Sequence, residues 1–168
     1  HFPHWRNYRE FGGGAVTDWG AHHLDIAQWG LGMDESGPVE ILPPATPNAK
    51  RGAKLIYANG VTVEHTNGFG VDFFGSDGEV QVNRGKFTFK RGSEMISCFA
   101  DKKTNQDTSC EAQVVKAERA FLQDAKIKLY ASKNHVVDFM ECVASRKKPI
   151  TSEQVGARLG WRRRFAAG

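Results

Sequence analysis

Strand-like segments joined by short turns constrain the fold of this chain more than any other feature of its sequence. The clearest example runs from Lys54 to His65, where Asn59-Gly60 separates two arms rich in apolar and β-branched residues. This arrangement predicts a two-residue hairpin turn of type I′, in which both central residues have positive φ. Further strands are predicted at Val39–Leu42, Gly70–Phe74, Glu79–Asn83 and Lys86–Arg91. Because sequential strands with short connections pair antiparallel, the sequence predicts a mainly antiparallel sheet.

Helical features occur on both sides of these strands. Capping residues, stop residues and apolar spacing predict helices at Thr17–Leu31, Glu111–Lys128, Asn134–Ser145 and Ser152–Phe165. Thr17 is the expected N-cap of the first helix and Gly32 its expected stop, while Ala100–Ser109 is expected to be a loop. The predicted fold class is therefore α+β, an open, mainly antiparallel sheet with helices packed on one face. With 168 residues and no internal repeat, the chain is expected to form a single domain over residues 1–168.

Composition narrows the classes of function. No apolar run approaches the roughly 20 residues that a membrane helix needs, so no membrane association is expected. The net charge of +4 comes from scattered clusters, and no nucleic-acid-binding module accompanies them, so solvated surfaces are favoured over nucleic-acid binding. The three cysteines contain no CxxC pair, which disfavours a zinc ribbon or a disulfide framework. Reduced thiols favour the cytoplasm, but a targeting signal preceding His1 would not be visible, and the compartment stays open.

One face of the first predicted helix has side chains that could take part in acid–base catalysis. Asp18, His22, Asp25 and Trp29 fall within a stripe about 60° wide on a helix with 3.6 residues per turn. Ala15, Trp19 and Ile26 form a neighbouring apolar stripe suited to packing. Histidine suits proton transfer near neutral pH, and a carboxylate one turn away can hold its ring. These residues are therefore candidates for the acid–base chemistry that accompanies alcohol oxidation.

Two other interpretations of this stripe stay open on spacing alone. An Asp-x-x-x-His pair on a helix is more often a capping Asp with a structural His. Asp18, His22, His23 and Asp25 also include oxygen and nitrogen metal ligands, although only three of them share a face. Because no further ligand cluster accompanies them, no metal site is predicted.

The segment Gly12–Asp25 (GGGAVTDWGAHHLD) resembles the GGG-x-x-x-D-x-G-x-H-x-x-D segment of the glucose–fructose oxidoreductase/inositol dehydrogenase/MocA (Gfo/Idh/MocA) family. Phe74–Val82 is similar to the family's F-x-G-[ST]-x-G hairpin, and His135–Pro149 to its late helix. The resemblance extends to about residue 157 and implies the α+β C-terminal domain of such an enzyme. The final segment, Arg158–Gly168, departs from the apolar helix that the family pattern implies.

The resemblance also implies a function and a set of residues. It implies the substrate-binding domain of an NAD- or NADP-dependent oxidoreductase that transfers a hydride to or from a sugar, polyol or related alcohol. Asp18 and His22 match the family's acid/base pair. The substrate-binding candidates follow from side-chain chemistry and not from the resemblance: Trp5, Arg6, His23 and Asp25. The family's sheet implies a homo-oligomer, and apolar outward positions in Val71–Phe74 and Phe87–Phe89 support one.

The cofactor is expected to bind elsewhere. The family's Rossmann domain precedes the C-terminal domain, and this sequence contains neither a G-x-G-x-x-G fingerprint after a strand nor the family's Glu-Lys-Pro lysine motif. We therefore expect no cofactor-binding residues, no tight NAD(P) binding and no activity from the chain alone. A non-catalytic sugar-binding or oligomerisation module is the alternative, and a Gly-rich βαβ unit encoded upstream of His1 would argue against it.

Overall fold

The computed structural model describes residues 3–8, 10–68, 70–99, 108–123, 125–126 and 128–158. The chain divides into two compact units. The first comprises residues 1–67 and 130–168, and the second runs from Gly68 to Leu129. Helices and antiparallel strands confirm the α+β prediction, with the strands in two sheets instead of one. No helix in the described ranges is long and apolar enough to cross a membrane.

Helix α1, Gly14–Gly30, begins the regular structure of the first unit, after a 3₁₀ turn at Trp5–Asn7. The prediction that Thr17 is its N-cap is wrong, because the helix begins one turn earlier with Gly13 as the N-cap. The Thr17 hydroxyl instead accepts a hydrogen bond from the Gly13 N–H at 3.0 Å and donates to the Gly14 carbonyl. Thr17 thus stabilises the helix start from inside the first turns. The stop is confirmed, since Gly32 follows the helix with a φ of +65°.

The first sheet is an antiparallel meander of β1 (Glu40–Leu42), β2 (Lys54–Ile56) and β3 (Thr62–Glu64). The hairpin between β2 and β3 is confirmed, but its type I′ turn is wrong. Gly60 has a φ of +85°, whereas Asn59 does not have a positive φ. The Gly60 N–H donates to the Tyr57 carbonyl and the Tyr57 N–H to the Val61 carbonyl, both at 2.9 Å. These bonds fit a three-residue loop in which a turn is followed by a left-handed glycine.

A buried polar contact connects α1 to this sheet. Gln28 is 2% exposed, and its Oε1 accepts a hydrogen bond of 2.7 Å from the hydroxyl of Tyr57, which is 4% exposed. The Gln28 Nε2 donates to the Ser36 carbonyl at 3.1 Å. Ala27 and Leu55 are buried as well, so this hydrogen-bonded side chain belongs to the core of the first unit.

Helix α3, His135–Ser145, also belongs to the first unit. The predicted helix at Asn134–Ser145 is confirmed, and the Asn134 side chain caps it by accepting hydrogen bonds from the N–H groups of Val136 and Val137. Its apolar side chains remain exposed by 45–59% within the described structure: Val136, Val137, Phe139, Met140 and Val143. Residues 153–158 are helical, as predicted, and the rest of the predicted segment to Phe165 lies outside the described residues.

The second unit contains a four-stranded antiparallel sheet in the order β4-β5-β6-β7. β4 is Val71–Phe74, and β5 (Glu79–Asn83) and β6 (Lys86–Arg91) have the predicted bounds. β7, Glu94–Phe99, was not predicted, although Met95, Ile96 and Phe99 follow a Gly92-containing turn. Helix α2, Thr108–Phe121, begins within the predicted loop and ends before the predicted Lys128. Residues 100–107 of that loop lie outside the described residues.

The register gives this second sheet one apolar and one largely polar face. Val80 pairs with both Phe73 and Phe89, which places these side chains on the same face. Helix α2 packs on β6 and β7, and the Phe121 ring lies 4.7 Å from that of Phe89. Phe89, expected on an open apolar patch, is therefore covered by α2. The opposite face carries charged and polar residues between Phe74 and Met95, which are 73% and 67% exposed.

The Gln28 contact predicts a large effect of one substitution. Gln28→Ala removes the hydrogen bonds that the Gln28 side chain makes with the buried Tyr57 hydroxyl and with the Ser36 carbonyl, so we expect the free energy of unfolding to fall by about 2 kcal/mol. Urea unfolding followed by tryptophan fluorescence measures this, since Trp19 and Trp29 lie on α1. Gln154→Ala, at an exposed position of the same unit, is the matched control and should change stability by at most about 0.5 kcal/mol. Equal losses in the two variants would contradict the account.

Candidate functional site

The glycine-rich entry to α1 brings the N-terminal segment close to the helix. The Gly12 N–H donates to the Tyr8 carbonyl at 2.8 Å. A Cβ at Gly12 would lie 2.7 Å from the Arg6 carbonyl oxygen, closer than a side chain permits. Glycine at this position therefore allows the backbone to fold back onto residues 5–7 and places that turn against the start of α1.

Three of the predicted site residues are in direct contact. The Arg6 Nε lies 2.9 Å from Asp18 Oδ2, and the Arg6 guanidinium carbon lies 4.7 Å from the centre of the Trp5 ring. The guanidinium is thus oriented by a carboxylate and by an aromatic face. The Arg6 and Asp18 side chains are 54% and 39% exposed, so the pair contributes at most modestly to stability. Trp5, at 42% exposed, presents part of its ring to solvent.

The two adjacent histidines have different surroundings. The His22 side chain is exposed, and its ring centre lies 6.2 Å from that of Trp19. His23 is half-buried, and its Nδ1 lies 3.2 Å from the Trp19 carbonyl oxygen. Within the described chain no hydrogen bond joins Asp18 to His22, and the Asp18 carboxylate is paired with Arg6 instead. The accessible imidazole at this end of α1 is therefore that of His22.

Asp25, one turn after His22, is half-buried. Burial raises the pKa of its carboxyl above the ordinary value of 3.8, and the negative charge of Asp34 raises that pKa further. The positive charge of His22 opposes both effects. Asp25 therefore couples electrostatically to the exposed imidazole on one side and to a second carboxylate on the other.

Asp34 is a member of this site that the helical pattern did not indicate. It lies beyond the end of α1, and its Oδ1 is buried without a hydrogen-bond partner among the described residues. Its carbonyl accepts a hydrogen bond from Arg158, which also binds the Glu35 carboxylate at 3.0 Å. No local sequence signal indicates a contact between positions 124 residues apart.

The described residues do not fit a dinucleotide. Every strand pair in the described part of the chain is antiparallel, so no βαβ unit there places a glycine loop before a helix. At the glycine-rich start of α1, the Gly13 N–H is already bonded to the Thr17 hydroxyl. A search of these residues finds no group of three or more His, Cys, Asp or Glu side chains that could hold a metal ion.

Residues 1–86, which include α1 and the 3₁₀ turn, match the model of an oxidoreductase family's C-terminal α/β domain. The chain belongs to the Gfo/Idh/MocA oxidoreductase family. This match confirms the resemblance seen in the sequence. Searches of curated proteins and of solved structures found no further match.

Within this Gfo/Idh/MocA C-terminal domain, the predicted site residues fall into distinct groups. The structure brings together Trp5, Arg6 and Asp18 through direct contacts, and His22 with Asp25 through their charges. It bonds His23 to the backbone of its own helix. Trp19, expected on a packing stripe, is 46% exposed, whereas Ala27 and Gln28 form the buried part of the helix. α3 and its late-helix motif lie beyond the matched residues.

The raised pKa of Asp25 predicts a pH-dependent stability. Because the folded chain holds the Asp25 proton more tightly than the unfolded chain, stability from this group is present below the unfolded pKa and is lost as pH rises through the folded pKa. Asp25→Asn should therefore unfold at a higher urea concentration than wild type at pH 7. The difference should nearly vanish at about pH 3, where the carboxyl is mostly protonated in both states.

Proposed function

We propose that this chain is the substrate-binding domain of an NAD(P)-dependent oxidoreductase acting on a sugar, a polyol or a related alcohol. Membership of the Gfo/Idh/MocA family supports the oxidoreductase class. The observation that carries the proposal is the exposed His22 imidazole, which lies one helical turn from Asp18 and from Asp25. The dinucleotide, held by another domain of the parent protein, supplies the redox chemistry, and this chain handles the substrate and its proton.

His22 is the proposed general base and acid. Oxidation of an alcohol to a carbonyl requires the substrate hydroxyl to lose its proton as the neighbouring C–H bond breaks. An accessible imidazole can accept that proton near neutral pH and return it in the reverse direction. Asp25 lies one turn of α1 after His22, close enough for the charges of the two side chains to interact.

Asp18 completes the proposed acid/base pair. It precedes His22 by four residues, so both side chains project from the same face of α1. Its carboxylate binds Arg6 and so fixes the guanidinium, and we propose that it also acts on the imidazole one turn away through its charge. Removal of Asp18 is therefore expected to affect both the proton-transfer residue and the substrate-binding surface.

The proposed substrate-binding residues surround this pair. The Trp5 ring offers an aromatic face to the C–H surface of a sugar. Arg6 uses Nε for Asp18, and within the described chain its terminal nitrogens are available as donors to substrate hydroxyls. Asp25 can accept a hydroxyl hydrogen bond, and His23 lines the adjoining part of the helix.

We further propose that the parent protein is a homo-oligomer that pairs through its sheet, with the polar face of β4–β7 as the contact.

The decisive experiment replaces His22 in the full-length parent. With a proton-transfer role, His22→Ala should lower kcat by about 10²-fold or more, since general acid–base catalysis contributes 10²–10⁴-fold. The measurement is steady-state turnover with NAD or NADP across a pH series, over a panel of sugars and polyols. His65→Ala, at an exposed histidine after β3, is the matched control and should retain wild-type turnover.

The pH profile separates a chemical role from a structural one. Loss of His22 should remove one ionisation from the profile of kcat/KM, a change that a purely structural residue would not produce. Wild-type turnover and an unchanged profile in His22→Ala would contradict the proposal. A parent that binds sugars but turns over none of them would instead support the non-catalytic module.

A further inference from the structure

Two asparagines in this chain precede glycine, and their backbone environments differ. Asn59-Gly60 lies in the β2–β3 hairpin, and Asn67-Gly68 follows the same hairpin. Asparagine before glycine is the pair most prone to deamidation, because glycine has no side chain to hinder attack by its own backbone nitrogen. All four residues are exposed. Exposure alone therefore does not distinguish the two pairs.

Hydrogen bonds protect the first pair. The Gly60 N–H donates to the Tyr57 carbonyl at 2.9 Å, so the attacking nitrogen is held in the turn. The Asn59 Oδ1 accepts a hydrogen bond from the Val61 N–H at 3.1 Å, which fixes the side-chain amide. Reaction at Asn59 requires the turn bond to break before the nitrogen can approach the side-chain carbonyl.

The second pair lies beyond the last hydrogen bond of the hairpin. That pairing ends where the His65 N–H donates to the Ala53 carbonyl and its carbonyl accepts from the Gly52 N–H. Within the described residues neither the Gly68 N–H nor the Asn67 side chain has a hydrogen-bond partner. The space around the two glycines is equally open, since at Gly60 and at Gly68 no atom outside the chain neighbours lies within 4 Å of the position of a Cβ, so the hydrogen bonds are what separate the two pairs.

We propose that Asn67 is a site of spontaneous deamidation in the folded protein and that Asn59 is protected. Hydroxide removes the proton of the Gly68 N–H, and the nitrogen attacks Cγ of Asn67. A new C–N bond closes a succinimide ring, the bond from Cγ to the amide nitrogen breaks, and that nitrogen leaves as ammonia after taking a proton from water. Water then opens the ring at either carbonyl carbon, giving aspartate or isoaspartate at position 67.

Deamidation of Asn67 changes the chain at the boundary between its two units. Residue 67 is the last residue of the first unit's N-terminal segment, and Gly68 is the first residue of the second unit. Isoaspartate routes the main chain through the side-chain carbon and so adds one methylene to the connection between the units. Either product replaces a neutral amide with a carboxylate in a protein whose net charge is +4.

Peptide mapping by mass spectrometry tests the proposal on the intact chain. The protein is incubated at pH 8 in ¹⁸O-labelled water, and label and isoaspartate are quantified at both sites over time. Loss of a hydrogen bond worth about 1 kcal/mol corresponds to roughly a fivefold difference in rate, so Asn67 should react at least that much faster than Asn59. Asn67→Gln should abolish labelling at position 67 and leave that at Asn59 unchanged, since glutamine would need a larger ring.

A denatured control shows whether the structure sets the difference. In concentrated urea the hydrogen bonds of the hairpin are lost, so the two rates should converge to within about twofold. A folded-state ratio near one, or faster reaction at Asn59, would overturn the proposal. A ratio that persists unchanged in urea would also overturn it, because the preference would then come from neighbouring side chains and not from the fold.

Discussion

The hydrogen bond between Tyr57 and Gln28 is the contact on which the candidate site depends. It joins the end of β2 to the last turns of α1, and both side chains are almost fully buried. The Gln28 amide also binds the backbone at Ser36, so one side chain connects the helix, the strand and the segment between them. A buried amide with both ends bonded fixes the position and rotation of α1 more specifically than apolar packing alone. Because Asp18, His22 and Asp25 lie on α1, their positions depend on this hydrogen-bonded side chain.

Ion pairs join residues in the C-terminal part of the described chain to the segment that follows α1. Glu35, just after α1, binds Arg158 at 3.0 Å and lies 3.8 Å from Lys148. The hydrogen bond from Arg158, followed by the positive charge of Lys148, lowers the pKa of the Glu35 carboxyl. The Glu35 side chain is 74% exposed, so this link orients the C-terminal segment without contributing much stability. The Asp34 carboxylate, next to Glu35 in the chain, raises the pKa of Asp25 through its negative charge.

The sequence pattern predicted the helices and strands well where residues within each element determine its structure. Alternation fixed β5 and β6, and Asn134 marked the start of α3 through its own side-chain hydrogen bonds. The start of α1 was misplaced because Thr17 bonds backward into a glycine-capped turn, an arrangement that capping preference does not indicate. β7 was missed, and the apolar spacing of α3 predicted a helix but could not show that its apolar side chains are exposed in the described structure.

The candidate site was also predicted only where local residues determine the structure. Residues on one helix face, such as Asp18 and His22, follow from spacing, and the side-chain chemistry of the N-terminal segment added Trp5 and Arg6. The pairing of Asp18 with Arg6 and the effect of Asp34 on Asp25 depend on backbone turns outside the helix. The Gln28–Tyr57 bond joins residues 29 positions apart, and no periodicity indicates such a contact.

A double-mutant cycle on Gln28 and Tyr57 tests this account most directly. Urea unfolding of Gln28→Ala, Tyr57→Phe and the double variant gives the coupling free energy between the two side chains. If the buried bond holds α1 on the sheet, the double variant should be more stable than the sum of the single effects predicts, by about 1 kcal/mol or more. Strictly additive losses would show that the two side chains act independently and would contradict the account.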